Sequence, residues 1–110
     1  MAFDEELAER IRAVMVDEPD TSEKKMFGGL GFMLDGNMAV AASSDGGLMV
    51  RIDPDDADEL VRRPGAERME MKGRKMNGWL HIDGAALESD DVLLDWVTIG
   101  LDFATTLPPK

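Results

Sequence analysis

Leu7, Ile11, Val14 and Met15 recur at spacings of four, three and one, while Glu5, Glu9 and Arg12 fall elsewhere. That pattern predicts an amphipathic helix from about Asp4 to Val16, with acidic residues crowding its first turn against the positive end of the helix dipole. Asp17-Glu18-Pro19-Asp20 interrupts it. From Lys24 the period changes and glycine becomes frequent. Met26-Phe27-Gly28-Gly29-Leu30-Gly31-Phe32-Met33-Leu34 reads as one strand broken by a bulge, and Asp35-Gly36-Asn37 as a turn. Met38 to Ala42 forms a second, nearly all-apolar strand, Ser43 to Gly47 another turn, and Leu48 to Ile52 a third strand. Parallel crossovers need a dozen or more residues, so these short connections make an antiparallel meander and exclude a doubly wound nucleotide-binding sheet.

The second half repeats the logic. Asp53 and Pro54 open a short helix that ends near Arg63-Pro64-Gly65. Met69 and Met71 alternate with Arg68, Glu70 and Lys72, and Gly73 permits a turn into Lys75 to Ile82, giving a second hairpin. Ser89 is the expected N-cap of a last helix, Asp90 to about Thr106. Its polar stripe is Asp91, Asp95, Thr98, Asp102 and Thr105, and Leu93, Trp96, Val97 and Leu101 face the other way. The apolar face is wide enough for a helix laid across a sheet, or one that also touches a partner subunit. The predicted class is α+β, with an antiparallel sheet of about five strands and helices packed on it, in the order α-β-β-β-α-β-β-α. No repeat or linker divides the 110 residues, so one domain is expected over 1–110.

Composition narrows the chemistry. Twelve Lys plus Arg against 23 Asp plus Glu give a net charge of −11, which disfavours whole-surface binding to nucleic acid or anionic lipid. There is no cysteine, hence no disulfide framework, thiolate metal site or thiol nucleophile. The acidic N-terminus is unlike a signal peptide and no apolar run approaches 18 residues, so a cytoplasmic location without membrane attachment is expected.

No reactive constellation stands out. His81 is the single histidine and is read as structural, since a metal needs several converging ligands. Asp53-Pro54-Asp55-Asp56-Ala57-Asp58-Glu59 departs from a calcium loop at its third ligand and its glycine, and helix capping explains it better. Gly28-Gly29-Leu30-Gly31 is followed by neither a third spaced glycine nor a helix start, so a bulged strand is preferred to a phosphate cradle. The adjacent glycines leave open the close approach of another backbone or of a ligand. Neither a Gly-x-Ser-x-Gly elbow nor a dry pair of carboxylates is evident, and no catalytic residue, cofactor or metal is assigned.

Charge is nevertheless segregated. Residues 62 to 75 hold six cations against two anions, a local charge of +4. They serve either as a solvated hairpin edge that pairs with acidic helices, or as a docking patch centred on Arg68, Lys72, Arg74 and Lys75 for an acidic partner. Aromatic residues are not interleaved there, so direct nucleic-acid contact is disfavoured. Most of the nine methionines fall in predicted strands and are expected in the core.

The blocks Lys24-Lys25-Met26-Phe27-Gly28-Gly29-Leu30-Gly31-Phe32-Met33, Gly36-Asn37-Met38, Leu48-Met49-Val50-Arg51 and Lys75-Met76-Asn77-Gly78-Trp79, with Trp96 beyond them, resemble the N-terminal domain of the TfoX/Sxy family of competence regulators. The likeness runs from the first helix to the Pro-Pro end. It implies a fold similar to the type III secretion chaperones, a stand-alone form of that domain, and a part in regulating competence gene expression without catalysis. The motif residues it carries over, Met26, Phe27, Gly28, Gly29, Gly36, Arg51, Met76, Gly78 and Trp79, are read as architectural. The expectation is therefore a regulatory or adaptor domain acting through protein-protein association, as a homodimer and on a further protein partner. The alternative is a small-molecule-binding or catalytic domain with the Gly28-Gly29 region as a pocket wall.

Overall fold

The structure, a computed structural model, describes residues 4–26, 28–71 and 73–108, and of residues 26, 70, 71 and 74–77 the backbone only. Helix α1 spans Glu5–Met15. It starts where the Asp4 carboxylate accepts the Glu6 and Leu7 amides at 2.9 and 3.2 Å, satisfying two of the donors a first turn leaves free. Leu7, Ala8, Ile11 and Met15 form its buried stripe.

Six strands follow in one antiparallel sheet: β1 Thr21–Met26, β2 Gly29–Leu34, β3 Asn37–Ala42, β4 Leu48–Arg51, β5 Ala66–Met71 and β6 Arg74–Ile82. Their spatial order is β1-β2-β3-β4-β6-β5. The sheet has one strand more than the sequence pattern suggests. Gly28 takes a φ of 77°, and this turns the expected single bulged strand back on itself, so that Met26 pairs with Gly29 and β1 becomes an edge. A bulge is present, but at Phe32/Met33 inside the β2–β3 pair. Asp35 and Gly36, with φ of 51° and 82°, make the two-residue turn between β2 and β3 in the handedness that matches strand twist.

A 3₁₀ turn at Pro54–Asp56 runs into the short α2, Ala57–Leu60, and the Asp53 carboxylate accepts the Asp55 amide at 2.9 Å, as its position in the sequence predicts. A second 3₁₀ turn, Gly84–Leu87, carries no period that the sequence could announce. Helix α3 spans Asp90–Ala104. Ser89 is its N-cap by backbone only: its carbonyl accepts the Leu93 amide at 3.1 Å, while its hydroxyl caps nothing.

Both long helices cover the same face of the sheet. Leu30, Phe32, Val40, Ala42, Leu48, Val50, Leu80 and Ile82 point to that face and pack with Leu7 and Ile11 of α1 and Leu93, Trp96, Val97 and Leu101 of α3. Asn37 is the buried polar side chain at the rim of this core, and its Nδ2 donates to the Pro108 carbonyl at 2.9 Å, which ties the end of the chain to β3. Asp91, Asp95, Thr98, Asp102 and Thr105 are all exposed, as the stripe predicts.

Helix α1 is also clamped to the β1 edge. The Arg12 guanidinium meets the Glu23 carboxylate through Nε–Oε2 at 2.6 Å and Nη2–Oε1 at 2.8 Å, and reaches Glu9 at 2.6 Å. The fork of hydrogen bonds from Arg12 holds the Glu23 carboxyl below its ordinary value. A carboxyl whose folded pKa is depressed stabilises the fold above its unfolded value and loses that contribution as pH falls through the folded one. Arg12→Ala is therefore expected to lower the urea midpoint at pH 7, and its deficit relative to wild type to fade from about pH 4.5 downward. A deficit that stayed constant to pH 3 would show that it does not come from the pairing with ionised Glu23.

Candidate functional site

Opposite the helices the sheet presents a second face, and the strand register defines it. Lys24, Gly31, Ala41, Met49, His81 and Glu67 are successive cross-strand partners and form one row from β1 to β5. Directly opposed residues in antiparallel strands share a face, so this row and its neighbours are the helix-free surface. The adjoining row holds Ser22, Met33 and Met38 on β1 to β3, and Arg51 paired with Trp79 on β4 and β6.

This surface is apolar without being thickly covered. Met33, Met38, Met49 and Trp79 are half-buried. Met38 lies over Gly31, where an added Cβ would come within 2.8 Å of its terminal methyl. Arg51 stands over the Trp79 ring, its guanidinium carbon 5.8 Å from the centroid, which keeps the indole screened on one side. Methionine was expected mainly in the core; these three instead form the floor of the open face.

At the β5 end His81 sits between two carboxylates. Its Nε2 is 2.9 Å from Asp45 Oδ2, and its Nδ1 is 3.3 Å from Glu67 Oε1, yet out of line for a hydrogen bond, so Nδ1 is buried with no aligned partner. Burial raises the Asp45 carboxyl, but the Gly47 amide, His81 and Ser43 together outweigh it and hold the group below its ordinary value. The two acids approach opposite ring nitrogens and are themselves well exposed, so they cannot converge on one ion or reacting atom. Among the described residues no group of three His, Asp or Glu side chains is arranged to hold a metal.

The Gly28-Gly29 region does admit a close backbone approach, and the backbone is the chain's own. A Cβ on Gly29 would run into the Ala42 carbonyl oxygen. The space beside it, lined by Gly29, Ala41, Ser43 and Met49, is only about 40 Å³, whereas small-molecule sites occupy about 300–1,000 Å³. A shallow cleft of about 250 Å³ lies between Arg63, Pro64, Ala86, Val92, Asp95 and Trp96. Another of about 390 Å³ lies beside Arg12, Val16, Glu23 and Phe32.

Of the basic residues 68, 72, 74 and 75, Arg68 pairs with Leu80 in register, points to the helix-covered side and forms an ion pair with Asp58 of α2. Arg74 and Lys75 open β6, but their side chains and all of Lys72 lie outside the described residues. Among the motif residues, Gly28 and Gly36 make turns at positive φ, Gly78 receives the Ile52 amide on its carbonyl at 2.9 Å, and Arg51 and Trp79 face each other. Phe27 and the side chains of Met26 and Met76 lie outside the described residues. The cross-strand row was invisible to sequence reasoning because β4 and β6 are neighbours only in space; the alternation of Gly31 with Met33 on β2 and of Met49 with Arg51 on β4 was its sequence trace, and Met38 joins the face only through the bulge at Phe32/Met33.

No helix among the described residues is long and apolar enough to cross a membrane. Comparison with curated proteins and with solved structures finds no match. The profile of the TfoX N-terminal domain matches residues 15–104, from the last turn of α1 to the final residue of α3, and the chain therefore belongs to the TfoX N-terminal domain family, a competence-regulator-related domain that is regulatory rather than a known catalytic one.

Proposed function

We propose that this domain regulates without catalysis, by associating with other protein through the helix-free face of its sheet. The observation that carries the reading is the half-buried floor of Met33, Met38, Met49 and Trp79, which faces away from the core and has no helix across it among the described residues. Thioether side chains adapt to the shape of what they meet, and an indole is among the strongest single contributors to protein interfaces. Charge favours protein over nucleic acid as the counterpart, because a chain at −11 repels phosphate. Of the ionisable groups nearest this face, Asp45 and Glu67 flank His81 from opposite sides and Arg51 stacks on Trp79, and they are not collected in a cleft, which is the opposite of what acid-base catalysis needs.

The test immobilises the 110-residue chain and compares proteins retained from its native host by wild type and by Met49→Asp, each checked for native circular dichroism. Retention of a defined protein that is lost with Met49→Asp is expected. Identical retention by both, or by neither, overturns the proposed surface.

A further inference from the structure

The composition of the open face also says what fits it best. Its central row begins with the Lys24 cation at the β1 edge and ends with Glu67 and the nearby Asp45 at the β5 end. Between them lie two small residues, Gly31 and Ala41, and then two large ones, Met49 and His81. Reversing that row places cation over anion and small over large at every position.

We infer that the helix-free face is a homodimer interface, in which a second copy of this chain stacks on it about a two-fold axis along the β3/β4 seam. This rests on the association reading above and names the partner. The axis puts β1 of one protomer over β5 of the other, β2 over β6, and β3 over β4. Lys24 then meets the partner's Glu67, the Met38 side chain lying over Gly31 comes against the partner's His81, and Ala41 lies opposite the partner's Met49. In the adjoining row Met33 comes over the partner's Trp79, a thioether-indole contact of favourable kind. A two-fold laid along the row instead would set Lys24 against the partner's Lys24 and Glu67 against the partner's Glu67, so charge selects the first arrangement.

The size is sufficient. Six strands of four to nine residues, spaced about 4.8 Å apart, make a face of about 500 Å², or roughly 1,000 Å² for both copies. That is the lower end for a specific interface, and it fits a dimer of micromolar rather than nanomolar affinity.

Sedimentation equilibrium of the full chain, from about 1 µM to about 1 mM in about 0.15 M salt so that net repulsion is screened, reads the result. Wild type is expected to reach a dimer and no larger species. Met49→Asp should weaken it at least about a hundredfold by placing two carboxylates at the seam. Lys24→Glu should weaken it about tenfold, and adding Glu67→Lys to Lys24→Glu should restore it to within about threefold. Restoration by the double exchange cannot come from a folding defect. A wild-type monomer at the highest concentration, a dimer indifferent to Met49→Asp, or a failed exchange overturns the inference. A monomer would leave association with a different protein to be judged by the retention test, so the two failures are distinct.

Discussion

Trp96→Ala is expected to lower the unfolding free energy by about 3–5 kcal/mol, the largest loss of any single truncation in this chain. Trp96 is 1% exposed and is the bulkiest of the fully buried side chains. It sits mid-way along α3, inside the cluster that joins both long helices to the sheet. The transfer term for an indole is already large, and the surroundings cannot collapse to recover it. Arg63 lies over the ring with its guanidinium carbon 5.3 Å from the centroid, and the cleft between Pro64, Ala86, Val92 and Asp95 opens directly beside it. Removing the ring therefore joins a core void to an existing cleft and admits water to Leu93 and Val97. Urea unfolding followed by far-ultraviolet circular dichroism measures the loss, since the fluorescence signal would change with the residue itself. Arg63→Ala should cost only about 0.5–1 kcal/mol, the worth of an exposed cation over an indole. A Trp96→Ala loss below about 1 kcal/mol would mean that α3 does not anchor the core.

The second large effect is at Gly100, where two forces of opposite sign compete. In an exposed helix interior, alanine is better than glycine by about 1 kcal/mol. Here α3 crosses β3 at this residue, and a Cβ would stand 2.5 Å from the Ala39 carbonyl oxygen and 2.8 Å from Val40 Cγ1. A backbone carbonyl held in a sheet cannot swing aside, so the helix would have to lift. Overpacking of this kind costs about 1–3 kcal/mol and sometimes more, which outweighs propensity. Gly100→Ala is expected to destabilise by about 1 kcal/mol net, and Gly100→Val by about 3 kcal/mol. Thermal unfolding of both variants decides it. A more stable Gly100→Ala would place α3 farther from β3 than it is.

Gly100 also marks the limit of what the chain discloses by pattern. The stripe of Leu93, Trp96, Val97 and Leu101 was legible because a 3.6-residue period is a local property, and so was the meander, whose turns lie next to the strands they join. Which face of α3 touches which strand is a matter of register between distant elements, and the small residue that allows it looks like any helix glycine. The same applies to the division at Gly28. One glycine at positive φ, rather than an extra residue in a ladder, separates a bulged strand from a hairpin, and both readings fit Met26 to Leu34 equally. Ser89 was legible as a position and not as a mechanism, because a hydroxyl that can cap need not do so when the backbone carbonyl suffices.

The working surface was the least legible part. The motif residues read as architectural; in the fold Gly28 and Gly36 lie at turns and the Gly78 carbonyl accepts the Ile52 amide, while Arg51 and Trp79 share the open face with the methionines. Lys24 and Glu67 lie 43 positions apart in the chain yet close the two ends of one row. Only the pairing of β4 with β6 brings them into a common pattern, and that pairing spans the whole α2 excursion.

Peroxide oxidation of the intact chain, resolved methionine by methionine by mass spectrometry over a range of protein concentrations, reports on this surface in solution. Met33, Met38 and Met49 should oxidise readily when dilute and become protected together as concentration rises, while the core residue Met15 stays slow throughout. Rates at Met33, Met38 and Met49 that do not change with concentration would contradict self-association through the helix-free face.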